Sequence, residues 1–145
     1  MTTTLTVPIR VRYCECDPMN VAHHSAYAVW FEIARTELLR AQGSVYAEME
    51  KAGVLFVVAK LSTRFRKPAV YDDELRVEVT VRQSAGVKIE HTYRVLRRRD
   101  SGAVSGGAGS ATGAAAGDDI LAIGETTLAC VDRDGKLRPV PDALR

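Results

Sequence analysis

The chain has 145 residues, of which 46% are hydrophobic and 26% are charged, a composition that indicates a single globular domain over residues 1–145. Its 20 basic and 18 acidic residues leave a net charge of +2, which gives no global field for nucleic acid or a membrane surface. The amino-terminal residues lack the basic and apolar segments of a leader and no apolar run reaches the length of a bilayer span, so a cytoplasmic protein is expected.

The cysteines are an odd number in a chain without an export signal, so reduced thiols with a structural role are expected. They are Cys14, Cys16 and Cys130. Cys14 and Cys16 could offer two metal ligands, but no second Cys/His pair stands at the spacing of a zinc site. A protein without a metal is therefore predicted.

The first predicted elements are a strand and a long helix. Alternation of apolar and polar residues from Leu5 to Tyr13 predicts a β-strand, and Pro8 favours an edge position in the sheet. Apolar residues then recur at three- and four-residue spacing from about Ser25 to Ala41, which predicts a helix with a wide buried face. Gly43 is a typical helix stop, and a short irregular helix is predicted over 44–51.

Four further strands are predicted from two-residue alternation and from apolar runs between turn residues. They run over Val54 to Phe65, Leu75 to Val81, Val87 to Val95 and Ile120 to Val131. Residues 101–117 contain only Ser, Gly, Ala, Val and Thr, and they are predicted to form a flexible loop insertion between strands. This insertion is either a tolerated lengthening of a hairpin loop or a functional lid. Together these elements predict the α+β class, with an antiparallel β-sheet wrapped around one long central helix.

The stretch from Asp17 to Tyr27 combines an acid, a tight turn and a helix start. Pro18 presets its φ and Asn20 tolerates the left-handed region, so the chain is predicted to reverse directly after Asp17. The helix start carries unpaired N–H groups and partial positive charge, which suit a carbonyl oxygen that becomes negative. Asp17 is ionised at neutral pH and could activate water or attack a carbonyl, although an aspartate here also fits a simple turn or helix cap.

Two groups of residues resemble a known family. The first combines Tyr13-Cys-Glu-Cys-Asp17, Val21-Ala-His-His24, Tyr27 and Trp30-Phe-Glu32. The second is Arg64-Phe-Arg-Lys-Pro-Ala-Val-Tyr-Asp-Asp73, followed by an alternating strand. In order and spacing they are similar to the 4-hydroxybenzoyl-CoA thioesterase group, YbgC-like proteins among the hotdog-fold acyl-CoA thioesterases. Asn20 stands where that group commonly has glycine, and asparagine can adopt the same left-handed conformation.

The resemblance implies a hotdog fold and hydrolysis of an acyl-CoA to free CoA and a carboxylic acid. In that reaction Asp17 is the catalytic carboxylate, either general base or nucleophile, and the His24 main-chain N–H stabilises the oxyanion. The His24 ring either steers the water or the leaving sulfur, or orients Asp17. His23 is expected to be a packing or interface residue, and His91 a strand residue paired with a polar neighbour. No metal or redox cofactor is expected, since coenzyme A enters as part of the substrate.

The substrate contacts follow from the same resemblance. Coenzyme A carries phosphates, which basic side chains bind, and a basic surface is predicted at Lys60, Arg64, Arg66 and Lys67, although such a face is equally explained by solvation. The acyl pocket is expected around Val57, Val58 and Tyr71. The full set of expected contacts is Asn20, Val21, Tyr27, Val57, Val58, Arg66, Lys67, Tyr71 and Lys88.

The family also implies a homodimer that assembles into a homotetramer, with Asp17 and the helix start from one chain and part of the acyl pocket from the other. Two alternatives stay open on the same fold. One is a thioesterase that acts on acyl-carrier protein, and the other is a non-catalytic protein that binds acyl-CoA. The sequence does not determine the acyl chain length, nor whether the acyl group is aliphatic or aromatic.

Overall fold

The computed structural model describes residues 3–99 and 117–145. In chain order its elements are β1 (Thr4–Arg10), α1 (His24–Ala41), α2 (Tyr46–Lys51), β2 (Leu55–Phe65), β3 (Glu74–Ala85), β4 (Lys88–Arg98) and β5 (Asp118–Val131). Short 3₁₀ helices occur at Tyr13–Glu15 and Asp142–Leu144. The predicted flexible loop over 101–117 lies outside the described residues, except for Gly117.

The five strands form one antiparallel sheet in the order β1-β3-β4-β5-β2. Pro8 lies in β1 at one edge of this sheet, where a residue without an N–H costs no ladder hydrogen bond, so the predicted edge position is confirmed. Each strand predicted from alternation exists, and the α+β class is confirmed. Neither helix within the described part of the chain is long and apolar enough to cross a membrane.

α1 lies against one face of the sheet and supplies the centre of the core. Its buried residues recur at three- and four-residue spacing, and they are Ala26, Tyr27, Trp30, Phe31, Ala34 and Leu38. The Phe31 ring stacks on the Tyr93 ring of β4 with centroids 4.3 Å apart. Beside this pair, a Cβ at Gly124 of β5 would lie 2.4 Å from Phe31 Cε2, so the helix approaches the sheet this closely only because residue 124 has no side chain. The helix ends before Gly43, whose φ of 87° confirms the predicted stop.

β2 is more exposed than the apolar residues of its sequence suggest. It is the other edge strand of the sheet, and α1 contacts β1 and β3 more extensively than β2, which it meets through the Tyr27 and Phe65 rings. The side chains of Val58, Leu61 and Phe65 are therefore 49%, 44% and 51% exposed, although they are apolar. A register shift between Val58 and Lys60 interrupts the alternation. Arg66, predicted within the basic face of the strand, lies just beyond its end.

Candidate active site

The residues from Asp17 to Val21 form a closed turn, called the Asp17 turn below. The Asn20 N–H donates to the Asp17 carbonyl oxygen at 2.9 Å, and the Asp17 N–H donates to the Val21 carbonyl oxygen at 3.0 Å. Asn20 has a φ of 65°, which confirms the left-handed conformation expected for it. The Asp17 carboxylate is half-buried, and its Oδ1 accepts a hydrogen bond of 2.9 Å from the Met19 N–H. No hydrogen bond of the described residues uses Oδ2, which leaves this oxygen able to hold a water molecule.

The helix start follows the turn directly. α1 begins at His24, one residue before the predicted start, and His23 is its N-cap, with Nδ1 accepting from the Ser25 N–H at 3.2 Å. His23 was expected to be a packing or interface residue; within the chain its exposed side chain caps the helix, and an interface role stays a prediction. The His24 N–H takes no part in the hydrogen bonds of the described residues, and it lies at the positive end of an 18-residue helix. The two imidazole rings lie 3.9 Å apart.

A buried carboxylate fixes the turn to the helix, and the sequence reasoning assigned it no role. Glu15 is 8% exposed, and its two oxygens accept from the Arg12 N–H at 2.7 Å and from the Trp30 indole N–H at 2.8 Å. Its main-chain carbonyl accepts from the His23 N–H at 2.7 Å. Glu15 thus contacts both the segment that enters the Asp17 turn and the helix that leaves it. A glutamate two residues before the candidate acid, with a tryptophan on the buried face of the next helix, was the available signal.

The segment between β2 and β3 closes the other side of the turn. The Ala22 N–H donates to the Ala69 carbonyl oxygen at 2.8 Å, and Val21 forms an isolated β-bridge with Val70. Because Val21, Ala22 and His23, which connect the turn to the helix start, are all bound to other segments through their main chain, the position of Asp17 relative to α1 is set by the main chain.

Aromatic side chains surround this region in two groups. The Tyr13 and Tyr71 rings meet edge to face with centroids 5.6 Å apart, and both side chains are exposed. The Tyr27 ring is buried and meets the Phe65 ring edge to face at 4.9 Å. Burial raises the pKa of the Tyr27 hydroxyl above its usual range. Tyr71, which the sequence assigned to the other chain's pocket, thus lies beside the motif residue Tyr13 of its own chain.

The basic residues predicted to bind coenzyme A differ in whether their charge is already paired within the chain. Lys67 Nζ lies 2.9 Å from Asp119 Oδ1, and Arg99 donates to the same oxygen at 3.1 Å. These hydrogen bonds from Lys67 and Arg99 hold the pKa of the Asp119 carboxyl below its usual range. Arg66 is exposed, and only its main-chain N–H has a hydrogen bond within the described residues, to the Leu121 carbonyl oxygen at 2.8 Å. The Lys67 charge is thus already paired, whereas the Arg66 guanidinium faces solvent.

The register of the sheet separates some predicted contacts from the Asp17 turn. Val57 and Lys88 both pair with Ala129 of β5, whereas Phe65, near the turn, lies at the level of Ala122. Seven residues at roughly 3.3 Å each give a separation of about 23 Å along the strand. Within one chain, the contacts that are not brought to the turn are Val57, Val58 and Lys88.

Neither a metal cluster nor a disulfide is found within residues 3–99 and 117–145. No three His, Cys, Asp or Glu side chains of this part of the chain converge on a point that could hold a metal ion. All three cysteines are free, and burial raises the pKa of the Cys130 thiol.

An antiparallel sheet wrapped around one long helix, with an acid beside the helix start, defines a protein of the hotdog class. The family model that matches the chain is described as the Thioesterase-like superfamily, and it matches residues 11–145. The chain belongs to this family.

Known proteins similar to the chain include curated relatives and a solved structure. The acyl-CoA thioesterase YbgC of Haemophilus influenzae is 31% identical over 136 residues, which are 92% of this chain and 84% of that protein. YneP of Bacillus subtilis is 36% identical over 87 residues, 60% of this chain and 63% of that protein, so the match spans slightly less than two thirds of YneP. The crystal structure of a mutant 4-hydroxybenzoyl CoA thioesterase complexed with 4-hydroxybenzoyl CoA has a TM-score of 0.80 and 16% identity, and the match covers 97% of this chain and 95% of that one. At that identity the likeness concerns the fold, and it confirms the fold expected from the sequence.

Proposed function

We propose that this chain hydrolyses acyl-CoA thioesters to free CoA and a carboxylic acid, with Asp17 as the catalytic carboxylate. The proposal is carried by the half-buried Asp17, whose Oδ2 has no hydrogen-bond partner among the described residues, together with the unpaired His24 N–H at the start of α1, seven residues further along the chain. Membership of the Thioesterase-like superfamily and the similarity to YbgC support the reaction class.

Two routes use this geometry. In the first, Asp17 takes a proton from a water molecule while the water oxygen attacks the thioester carbonyl carbon. The tetrahedral intermediate then expels the CoA thiolate, which receives the proton from the Asp17 carboxyl. In the second, Asp17 attacks the carbonyl carbon itself, the thiolate leaves, and water hydrolyses the resulting anhydride. Neither route includes a metal ion or a redox step.

The helix start stabilises the negative charge that either route places on the carbonyl oxygen. The His24 N–H is the donor we assign to this oxygen, since it has no intrahelical acceptor and lies at the positive end of α1. Removal of one such donor typically costs about 10²–10³ in kcat. A main-chain donor is insensitive to the side chain, so the imidazole of His24 is a separate contributor that His24→Ala would test.

The nucleotide part of the substrate is proposed to bind to exposed basic side chains near the end of β2. Arg66 is the first of these, because its guanidinium faces solvent, whereas Lys67 is bound to Asp119. Arg64 lies on the exposed strand that leads to Arg66, so the two could bind separate phosphates. The preferred acyl group depends on the shape of the acyl pocket, and part of that pocket is expected to come from a second chain.

We further propose a homodimer formed through β2, which pairs into a homotetramer. β2 is an open sheet edge that exposes Val57, Val58, Leu61 and Phe65, and open apolar edges favour pairing with a second chain. Two-fold antiparallel pairing of the β2 edges would bring the Val57 end of one strand beside the Phe65 end of the other. The acyl contacts that lie about 23 Å along the strand from the level of Phe65 in one chain would then adjoin the turn of the second chain. Analytical ultracentrifugation that finds a fully active monomer would contradict this assembly.

The central experiment measures thiol release from short, long and aromatic acyl-CoAs with the natural protein and with Asp17→Asn. The matched control is Asp132→Asn, because Asp132 also closes a turn, with its Oδ1 accepting from the Asp134 N–H at 2.9 Å and the Lys136 N–H at 3.0 Å. We expect turnover to fall by at least about 10²-fold in Asp17→Asn and to persist in Asp132→Asn. Both variants should keep a cooperative thermal transition.

The outcomes separate the remaining alternatives. Turnover that survives in a folded Asp17→Asn removes Asp17 from the chemistry. Ligand binding by calorimetry without turnover favours a non-catalytic acyl-CoA-binding protein, and turnover only with acyl-carrier protein favours a carrier-protein thioesterase. In a single turnover in heavy-oxygen water, label that enters the Asp17 carboxylate would establish attack by Asp17, because general-base catalysis leaves both carboxylate oxygens unlabelled.

A further inference from the structure

A cavity of about 220 Å³ lies far from the Asp17 turn. Its walls come from the second half of α1, from α2 and from the inner face of the sheet, and they include Leu39, Tyr46, Phe56, Ile89 and Leu128. Most of this lining is apolar. The first α1 residue of the lining is Glu32, eight residues after the helix start at His24, which is roughly 12 Å along the helix axis at 1.5 Å per residue. The cavity is therefore distinct from the proposed catalytic carboxylate of the same chain.

Two side chains in the wall each have one nitrogen without a hydrogen-bond partner, although Arg35 also interacts with Glu32 and with the Tyr93 hydroxyl. Arg35 Nη1 and His91 Nδ1 are both buried and unpartnered within the described residues. The His91 side chain is only 7% exposed, and the Arg35 side chain only 13%. The nearest carboxylate oxygen to Arg35 belongs to Glu32 at 3.8 Å, and the Glu32 side chain is 70% exposed. A buried guanidinium with so weak a counter-ion is costly unless a ligand completes its hydrogen bonds.

The His91 ring adds a neutral polar group. Burial, followed by the nearby Arg35 charge, lowers the pKa of His91 to about 4, so the ring is uncharged at neutral pH. As predicted, it is a strand residue paired with a polar neighbour, since it lies opposite Thr126 of β5, but its Nδ1 has no hydrogen-bond partner within the described residues. A neutral imidazole can donate to or accept from an oxygen-bearing ligand, depending on its tautomer.

We propose that this cavity binds a carboxylic acid with an apolar body, whose carboxylate is held by Arg35 and His91. An apolar cavity of about 150 Å³ accommodates benzene, so this larger one suits a body of roughly six to eight carbons with one polar end. The guanidinium would receive the carboxylate in a bidentate pair, and the apolar walls would enclose the rest. The inference rests on the proposed function in one respect, since a carboxylic acid is the product of the proposed acyl-CoA hydrolysis.

Two kinds of ligand carry a carboxylate on an apolar body. One is a free carboxylic acid, and the other is the acyl group of a dicarboxylic acyl-CoA, whose far end is a carboxylate. The first arm of the test uses octanoate and its neutral counterpart octanol in titration calorimetry with the intact chain. We expect octanoate to bind at least tenfold more tightly than octanol. Arg35→Met should weaken octanoate binding at least tenfold and leave octanol unchanged. The control is Arg40→Met, since Arg40 is an exposed arginine of the same helix and pairs with Glu37 at 3.5 Å.

The second arm compares kcat/KM for suberyl-CoA and octanoyl-CoA. A preference for suberyl-CoA that Arg35→Met abolishes would assign the cavity to the substrate's far end, while octanoate binding without that preference assigns it to the free acid. Equal affinity for octanoate and octanol in the natural protein, with no preference for suberyl-CoA, overturns the proposal even if Arg35→Met fails to fold. The calorimetric arm needs no turnover, so its result is independent of the thioesterase proposal.

Discussion

The replacement of Glu15 by glutamine tests how the Asp17 turn is fixed to α1. Glu15 accepts from the Trp30 indole N–H at 2.8 Å and from the Arg12 N–H at 2.7 Å, and its side chain is buried. An amide has only one acceptor oxygen, so in Glu15→Gln one of these donors faces an NH₂ group and loses its partner. Hydrogen bonds to charged groups contribute roughly 1.5–3 kcal/mol, and we expect a loss of that size in the free energy of unfolding.

This loss in the free energy of unfolding corresponds to a fall in the melting temperature, Tm. At roughly 2.1 cal/mol/K per residue, the 145 residues give an unfolding entropy of about 0.3 kcal/mol/K, so Tm should fall by about 5–10 °C. Differential scanning calorimetry measures this directly. The matched control is Glu125→Gln, because Glu125 is exposed and its contact with Arg82 is 3.8 Å long. Such a surface pair should contribute less than about 0.5 kcal/mol.

If Glu15→Gln and Glu125→Gln had the same Tm within about 1 °C, the buried hydrogen bonds would contribute nothing measurable, and the role given to Glu15 would be refuted. A large fall in Tm with unchanged thioesterase activity at 25 °C would show that Glu15 stabilises the fold without positioning Asp17. A fall in both would support the link between this buried carboxylate and the catalytic turn.

Three further predictions concern single residues. Asn20→Ala should lower the free energy of unfolding by about 1–2 kcal/mol in urea titrations while Asn20→Gly does not, since only glycine and asparagine readily adopt a φ of 65°. Gly124→Ala should cost about 1–3 kcal/mol in the same assay because its Cβ would overlap Phe31, and a shift below 0.3 kcal/mol would show that the ring moves freely. His91, whose pKa is lowered from 6.5 to about 4, contributes stability that is present above pH 6.5 and lost as the pH falls toward 4. The natural protein should therefore lose about 2 kcal/mol more than His91→Gln between pH 7 and pH 4.5, and equal losses would contradict the burial of a neutral ring.

Much of the fold was predictable because local patterns agree with the tertiary arrangement. The alternation in β3 and β4 and the helical spacing in α1 predict which side of each element is buried, and the structure buries those same sides. β2 was harder, since its apolar residues predict burial while its edge position leaves Leu61 and Phe65 exposed. The order of strands in a sheet depends on long-range pairing, and no local pattern encodes it.

The candidate site also combines features that the sequence predicts with features that only the structure shows. The turn after Asp17 and the left-handed Asn20 were predictable because short-range sterics decide them. His23 as the helix cap was not, since several residues near the start could have capped. The role of Glu15 required the structure, because its partner Trp30 lies fifteen residues further along the chain.

The sequence by itself determined the class of the protein, the acid and the helix start that follows it, since these depend on residues close together in the chain. Only the tertiary structure decided which charges are already paired, as Lys67 is with Asp119, and which keep a buried nitrogen without a hydrogen-bond partner among the described residues, as Arg35 does at Nη1. It also decided that Val57 and Lys88 lie at the far end of the sheet from the Asp17 turn. The physical reason is that pairing and burial are set by residues distant in sequence, whose approach depends on the packing of the whole sheet against α1.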